Sequence, residues 1–325
     1  MPRRIGDVVL EVDDLHTYCF TRWGVVKAVD GVSFSLRQGE ALGVVGESGC
    51  GKTMTALSLL RLLPRPAARI VKGTIRLDGE NLLDKSEREM RAIRGRRISM
   101  ILQDPQTSLN PVFTIGNQLV EAIKIHHQDG RRSLARRAID GLKQVRVAAP
   151  ERRVRDYPHQ ISGGMKQRVV GAIAISCEPG VIIADEPTTS LDVTIQAQYL
   201  RLLREIQEQT NLALIFITHD FGIVAEMCDR IAVMYAGRIQ ETTEVFELFD
   251  HPSHPYTRAL LESVPQLGGN GRLASIPGQP PTANERLAGC AFASRCHLAD
   301  DRCFVEPPPR VALNPEHWAT CWRLT

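Results

Sequence analysis

Ala41-Leu-Gly-Val-Val-Gly-Glu-Ser-Gly-Cys-Gly-Lys-Thr53 is the stretch that decides the fold. Residues 41–45 form an apolar run too short for a helix, which predicts a fully buried strand. From Gly46 to Thr53 the chain follows G-x-x-x-x-G-K-[ST], a loop that needs those residues at that spacing. Glycines let successive backbone N–H groups turn inward around an anion, and the helix that follows presents its positive dipole end. Gly46, Glu47, Ser48, Gly49, Cys50 and Gly51 are expected to cradle phosphate, with Met54 at the helix start. Lys52 can reach the β- and γ-phosphates, and the Thr53 hydroxyl can ligate Mg²⁺. The alternative is a Gly-rich turn with an exposed lysine.

Outward from this loop, strand character is expected at residues 8–12, 25–36, 181–185 and 212–218, and helices around 52–63, 164–177 and 193–209. Strand–helix alternation implies an α/β chain with a parallel sheet covered by helices. Between about 114 and 160 the pattern changes to Arg- and Gln-rich helices with no strand candidate, a helical insertion. From about 265 Pro and Gly accumulate, marking a linker to a tail that carries four of the chain's eight cysteines. There is no internal repeat. The strand Val181-Ile-Ile-Ala-Asp185 ends in acids. A carboxylate at the carboxyl end of a buried parallel strand sits where α/β sheets bind ligands. Asp185 can hold the Mg²⁺ shell, and Glu186 extends to where a base or water-positioning carboxylate belongs.

Composition narrows the class. Of 325 residues, 43% are hydrophobic and 24% charged, which excludes a disordered tail, a fibre and a coiled coil. The net charge of +3 is too balanced to announce nucleic acid by itself. No run of about 18 apolar residues is present to cross a bilayer. Nor does an apolar stretch follow the basic residues of Met1-Pro-Arg-Arg-Ile-Gly-Asp, so no secretory signal is expected. A soluble, cytosolic chain follows. Cys19, Cys50, Cys177 and Cys228 are scattered, whereas Cys290, Cys296, Cys303 and Cys321 crowd the tail. In a reducing cytosol such a cluster suggests a metal centre rather than a disulfide framework.

Ile161-Ser-Gly-Gly-Met-Lys-Gln-Arg168 resembles the L-S-G-G-Q signature of ATP-binding cassette (ABC) ATPases, with Ile161 for Leu and Met165 for Gln. Ser162, Gly163 and Gly164 at a helix start form a second phosphate cradle, one that would face a partner's nucleotide. Other family landmarks follow in order. The resemblance implies that Gln103 is the Q-loop glutamine touching Mg²⁺ or the attacking water, that Asp192 belongs to the D-loop crossing the dimer interface, and that His219 is the switch histidine. Trp23 stands where the family places the aromatic that stacks on adenine, with Tyr18 and Phe20 nearby. The implied fold is an ABC-type P-loop ATPase with a mixed or parallel sheet core, an antiparallel β subdomain, a helical subdomain and an irregular Cys-rich extension. An ATPase domain over 1–264, its helical subdomain at about 104–177, and an extension over 265–325 are expected.

Gln103-Asp-Pro-Gln-Thr-Ser-Leu-Asn-Pro111, Asp185-Glu-Pro-Thr-Thr-Ser-Leu-Asp-Val-Thr194, His254-Pro-Tyr-Thr-Arg-Ala-Leu-Leu261 and Gly289-Cys-Ala-Phe-Ala-Ser-Arg-Cys296 resemble the dipeptide/oligopeptide importer ATPases, D-type subunit. This implies an ATP- and Mg²⁺-dependent energy-coupling subunit on the cytoplasmic face of a bacterial inner membrane. Its implied partners are a related second ATPase chain, two membrane permease subunits and an extracytoplasmic solute-binding protein. A nickel importer of the same branch stays open, because these ATPases do not touch the cargo. A soluble ABC ATPase acting on nucleic acid is the rival. Arg131-Arg132, Arg136-Arg137 and Arg152-Arg153-Val-Arg155 could favour it, but pairs at helical spacing read as a solvated face. The tail spacing, C-x5-C-x6-C-x17-C, lacks the short pairs of structural zinc sites. It also departs from common iron–sulfur spacings. Four thiolates on an irregular segment suit a [4Fe–4S] cluster, with the resemblance carrying part of that expectation. Zinc and free or disulfide-linked thiols are the alternatives.

Overall fold

The computed structural model describes residues 5–264, 275–281 and 288–325; of the linker expected from about 265, residues 265–274 and 282–287 lie outside them. In chain order, two long strands, β1 (Val8–Thr21) and β2 (Gly24–Arg37), precede β3 (Ala41–Val45) and α1 (Lys52–Leu59). β4 (Ala68–Leu77), β5 (Glu80–Asn81), α2 (Glu87–Ile93) and β6 (Ile98–Ile101) follow. A helical stretch comes next: α3 (Pro105–Ser108), α4 (Ile115–Lys124), α5 (Arg131–Gln144), α6 (Pro150–Arg153) and α7 (Gly163–Ile175). Alternation resumes with β7 (Val181–Asp185), α8 (Val193–Thr210), β8 (Ala213–Thr218), α9 (Phe221–Met227), β9 (Arg230–Tyr235) and β10 (Arg238–Glu244). α10 (Val245–Asp250), α11 (Pro255–Glu262), α12 (Asp301–Val305), β11 (Arg310–Ala312) and β12 (Trp318–Thr320) complete it.

These elements form two compact units interleaved in sequence. The first holds residues up to Leu10, Leu36–Glu40 and Leu77–Phe216; the second holds Glu11–Ser35, Ala41–Arg76 and Ile217–Thr325. In the first unit β6 and β7 pair in parallel, with Ile98 opposite Val181 and Ile101 opposite Ala184. β7 is buried along its whole length, as its unbroken apolar run requires. α4, α5 and α7 pack on one another through Leu119, Ile123, Leu134, Ala138 and Leu142, all buried. The helical insertion is therefore present where the Arg- and Gln-rich pattern predicts it.

In the second unit β3 lies parallel to β9, with Leu42 opposite Arg230 and Val45 opposite Val233. β9 and β10 form an antiparallel hairpin. β12 then pairs antiparallel with β10, and β11 with β12. The Pro and Gly content predicts an irregular tail, and β11 and β12 depart from that by joining the sheet. Trp318, Ala319 and Thr320 extend a sheet because the free side of β10 satisfies their backbone groups, and Ala319 is fully buried there.

β4, β6, β9 and β10 were not expected as strands. β10 shows why: Gln240, Glu241, Thr242 and Thr243 are all buried despite their polarity. Glu241 accepts hydrogen bonds from the backbone N–H groups of Ser253 (2.8 Å) and His254 (2.9 Å) and pairs with His317 Nε2 at 2.8 Å. Partners far along the chain make this strand possible, and hydropathy does not register them.

Candidate functional site

The second unit carries the loop that joins β3 to α1. Two backbones come so close to this loop that only glycine fits. A Cβ on Gly46 (φ 154°) would lie 2.1 Å from the Met234 carbonyl, and one on Gly51 (φ 110°) 2.2 Å from that of Ala28. The turn between β9 and β10 braces the far side, where Gly237 N–H donates to Cys50 O at 2.8 Å. Gly51 occupies the N-cap of α1 without a side-chain cap, so the first helical N–H groups face outward. Lys52 is buried and curls into the loop, donating from Nζ to Gly46 O at 2.7 Å and Glu47 O at 3.1 Å. Ser48, Gly49 and Thr53 are exposed. Burial pushes the Cys50 thiol up, which keeps it protonated and inert. Aligned N–H groups, a helix start and a buried ammonium together make an anion cradle.

Glu47, within the loop, has partners that no local pattern foretells. Arg295 donates from Nη1 to Glu47 Oε2 at 2.6 Å and from Nη2 to Oε1 at 3.0 Å, a bidentate pair spanning 248 positions. The Arg295 side chain is 3% exposed and also donates to the Tyr235 hydroxyl at 3.2 Å and Pro277 O at 2.9 Å. Hydrogen bonding to Glu47 holds its guanidinium well above the usual range. Glu47 N–H donates in turn to the hydroxyl of Tyr256, a fully buried residue of α11.

Trp23 sits in the turn between β1 and β2, 75% exposed, with the Arg22 guanidinium 4.5 Å from its ring centroid. Its neighbours are otherwise engaged: the Tyr18 hydroxyl donates to Asp30 Oδ1 at 2.8 Å, and Phe20 lies under Arg69. Burial works to raise Asp30, but hydrogen bonds from Arg238 and Tyr18 outweigh it and bring its pKa to about 2. His219 is exposed immediately after β8. Asp220 behind it caps α9, accepting from Gly222 N–H at 2.8 Å.

The first unit brings Gln103, Asp185 and Glu186 to one end of two parallel strands. Asp185 closes β7 at 1% exposure. Glu186 takes a left-handed backbone (φ 44°), unfavourable for a non-glycine residue and common at functional turns. Gln103, two residues beyond β6, donates from Nε2 to Glu186 Oε2 at 3.0 Å, and Thr189 Oγ1 donates to the same oxygen at 3.0 Å. Ser162 is the N-cap of α7, accepting from Met165 N–H at 3.4 Å. Gly163 and Gly164 form that helix's first turn; a Cβ on Gly164 would come within 2.8 Å of Ile195 in α8. Lys166 on the same helix donates to Gln106. Asp192 caps α8 through Ile195 N–H at 3.0 Å.

Cys290, Cys296, Cys303 and Cys321 line one small pocket with His254, Phe292, Leu298 and Trp322. Burial pushes Cys290 up to about 11 and raises Cys296 and Cys321 as well. Among the described residues no group of three or more His, Cys, Asp or Glu is arranged to hold a metal ion. The structure gathers the four thiols around one pocket. No helix among the described residues is long and apolar enough to cross a membrane.

Comparison with known sequences and structures agrees with this geometry. Residues 29–189 match the family described as ABC transporter, and residues 240–303 the oligopeptide/dipeptide transporter C-terminal region. The chain is 51% identical to the probable peptide ABC transporter ATP-binding protein y4tR of Sinorhizobium fredii, covering 98% of this chain and 96% of that one. It is 47% identical to the dipeptide transport ATP-binding protein DppD of Bacillus subtilis, covering 97% and 94%. The fold resembles that of the ATP-binding cassette MJ0796, with a TM-score of 0.65 and 23% identity over 73% of this chain and 98% of that one.

Proposed function

The chain belongs to the ABC transporter family, among its dipeptide and oligopeptide transport ATP-binding proteins, and we propose from this how its residues turn ATP hydrolysis into transport. It is the ATP-hydrolysing, energy-coupling subunit of a peptide importer. The observation that carries the chemical reading is the Gln103–Glu186 hydrogen bond at the carboxyl end of β6 and β7.

The roles divide by chemistry. Gly46, Glu47, Ser48, Gly49, Cys50, Gly51 and Met54 form the loop and helix start that receive the triphosphate, and Lys52 balances its charge. Trp23 stacks on adenine; its exposure supports this, since a platform must be open on one face. The residues suited to Mg²⁺ are Thr53, Asp185 and Gln103, all hard oxygen donors. When present, Mg²⁺ would supply positive charge opposite the phosphates. Glu186 accepts a proton from, or orients, the attacking water. Two donors on its Oε2 hold the carboxylate in place, and its left-handed backbone fixes where it points. His219 answers to the γ-phosphate. Ser162, Gly163, Gly164 and Asp192 act toward the nucleotide of a partner cassette. The helix start at Ser162 supports this, being a second place where backbone N–H groups gather.

Work reaches the membrane through a second, related ATPase chain and two permease subunits, with an extracytoplasmic solute-binding protein delivering peptide. The chain sits peripherally on the cytoplasmic face of the inner membrane. Leu102, beside Gln103, and Val112 and Phe113 further along the same segment are exposed apolar side chains and suit a groove for a permease helix. The ATPase domain is taken as 1–264, with its helical subdomain at about 104–177, and the extension as 265–325.

The four tail thiols are proposed to hold a [4Fe–4S] cluster, with zinc as the second choice. Four cysteines sharing one largely apolar pocket support the donor set. Such a cluster would fold and dock the extension, because ATP hydrolysis requires no electron transfer.

The test is peptide uptake by the whole complex reconstituted in vesicles, with its cognate binding protein. ATP-dependent uptake of peptide, abolished by Glu186→Gln, is expected. Uptake of nickel but not peptide would move the chain to the sister function.

A further inference from the structure

The tail meets the phosphate loop through Arg295. Arg295 belongs to the segment between Cys290 and Cys296, yet its guanidinium is spent on Glu47, inside the loop that carries Lys52. That carboxylate is badly placed for a loop meant to receive several negative charges. Lys52 Nζ already donates to the Glu47 carbonyl at 3.1 Å, so the ammonium and the Glu47 residue are immediate neighbours. Without a cation of its own, the Glu47 carboxylate could draw Lys52 to itself or repel the incoming phosphates. Arg295 prevents both by holding the two carboxylate oxygens at once. Its backing is rigid: Tyr235, the Pro277 carbonyl and the Ile276 carbonyl (3.4 Å) take its remaining donors, and Phe292 and Tyr235 flank it. Tyr256 fixes the same residue's backbone from another side.

We propose that Arg295 is a positioning residue for ATP binding: by neutralising and immobilising Glu47 it keeps Lys52 and the phosphate loop free for the triphosphate. The role rests on reading Gly46–Thr53 as an ATP loop, and it extends the cassette's nucleotide site to a residue of the C-terminal extension. An interaction made before the chemical step affects ground-state binding, so the effect belongs in Kd and KM rather than kcat.

The experiment measures equilibrium binding of a fluorescent ATP analogue to the full chain, and steady-state ATPase of the assembled importer. Wild-type binding tests the loop reading by itself; the variants test Arg295. Arg295→Ala is expected to raise Kd and KM about tenfold, the worth of one charge-assisted contact, with kcat within about twofold. Arg295→Ala combined with Glu47→Gln should recover affinity to within about threefold of wild type, because the stray charge is gone. A purely structural loss would not be rescued by that second change. Should Arg295→Ala fail to fold, Arg295→Gln keeps more of the side-chain volume and carries the same expectation. Wild-type affinity in either single variant overturns the proposal, as does a loss of affinity that Glu47→Gln leaves unrepaired.

Discussion

Gln103 Nε2 and Glu186 Oε2 lie 3.0 Å apart, so the residue after the β7 carboxylate is held by a side chain from just beyond the neighbouring strand. Thr189 binds the same oxygen. Glu186→Gln keeps the shape and loses the base. ATP binding is expected to survive, while ATPase turnover of the assembled complex falls by about 10²–10⁴, the range for losing a general base. Gln103→Ala should lower turnover less and disturb the coupling of uptake to hydrolysis more. ATPase and uptake measured side by side check both, and near-normal hydrolysis in the Glu186→Gln complex would contradict the assignment.

Gly51→Ala places a methyl 2.2 Å from the Ala28 carbonyl at a φ that L-residues avoid. The loop must shift, and nucleotide affinity should drop by at least about tenfold, since strain of this kind costs about 1–3 kcal/mol. Lys52→Ala should weaken binding too, through lost charge rather than lost shape. Titration with labelled ATP, alongside melting curves of the nucleotide-free chains, separates the two. The Gly51 variant should also melt earlier.

His254 is 1% exposed, and its Nδ1 accepts from Tyr256 N–H at 3.0 Å. Desolvation holds the imidazole neutral and brings its pKa down to about 3 from 6.5. Below 6.5 the unfolded chain takes up a proton that the folded chain refuses. Stability contributed here is therefore complete above the unfolded value and is lost as pH falls toward 3. The slope is at most about 1.4 kcal/mol per pH unit for one proton. His254→Asn retains a helix-capping side chain and should flatten this part of the profile. Melting temperatures of both chains between pH 6.5 and pH 4 decide it; parallel curves would remove His254 as the cause.

Chain purified anaerobically should be brown and carry about four iron and four acid-labile sulfide. Stoichiometric zinc without iron or sulfide selects the second choice. Metal-free chain with four alkylatable thiols in the tail rejects both.

The elements legible from sequence are those whose signal is local. β3 and β7 occupy 41–45 and 181–185 as their apolar runs require, and Ser162 and Asp192 cap the helices that follow them. The loop at 46–53 was readable because phosphate binding constrains consecutive residues. Where stability comes from partners distant in sequence, the reading stops. β10 buries Glu241 because the Ser253 and His254 N–H groups and, 76 positions later, His317 meet its carboxylate. Glu47 and Arg295 each look like surface charges until the fold brings them together. The Gln103–Glu186 bond was foreseeable only as two separate roles, since nothing in either segment states their distance.

Without the C-terminal extension, β10 would present a bare row of N–H and C=O groups on the side away from β9. Such an edge is a template for strands from other molecules. β12 covers it with Trp318 opposite Thr242 and Ala319 opposite Glu241. The new edge, β11, runs only from Arg310 to Ala312, directly after Pro307, Pro308 and Pro309. A short strand with a charged first residue behind three prolines is a poor place for another chain to dock. β11 and β12 thus act as a selvedge, and a chain clipped by a protease ahead of β11 would be prone to stick to copies of itself.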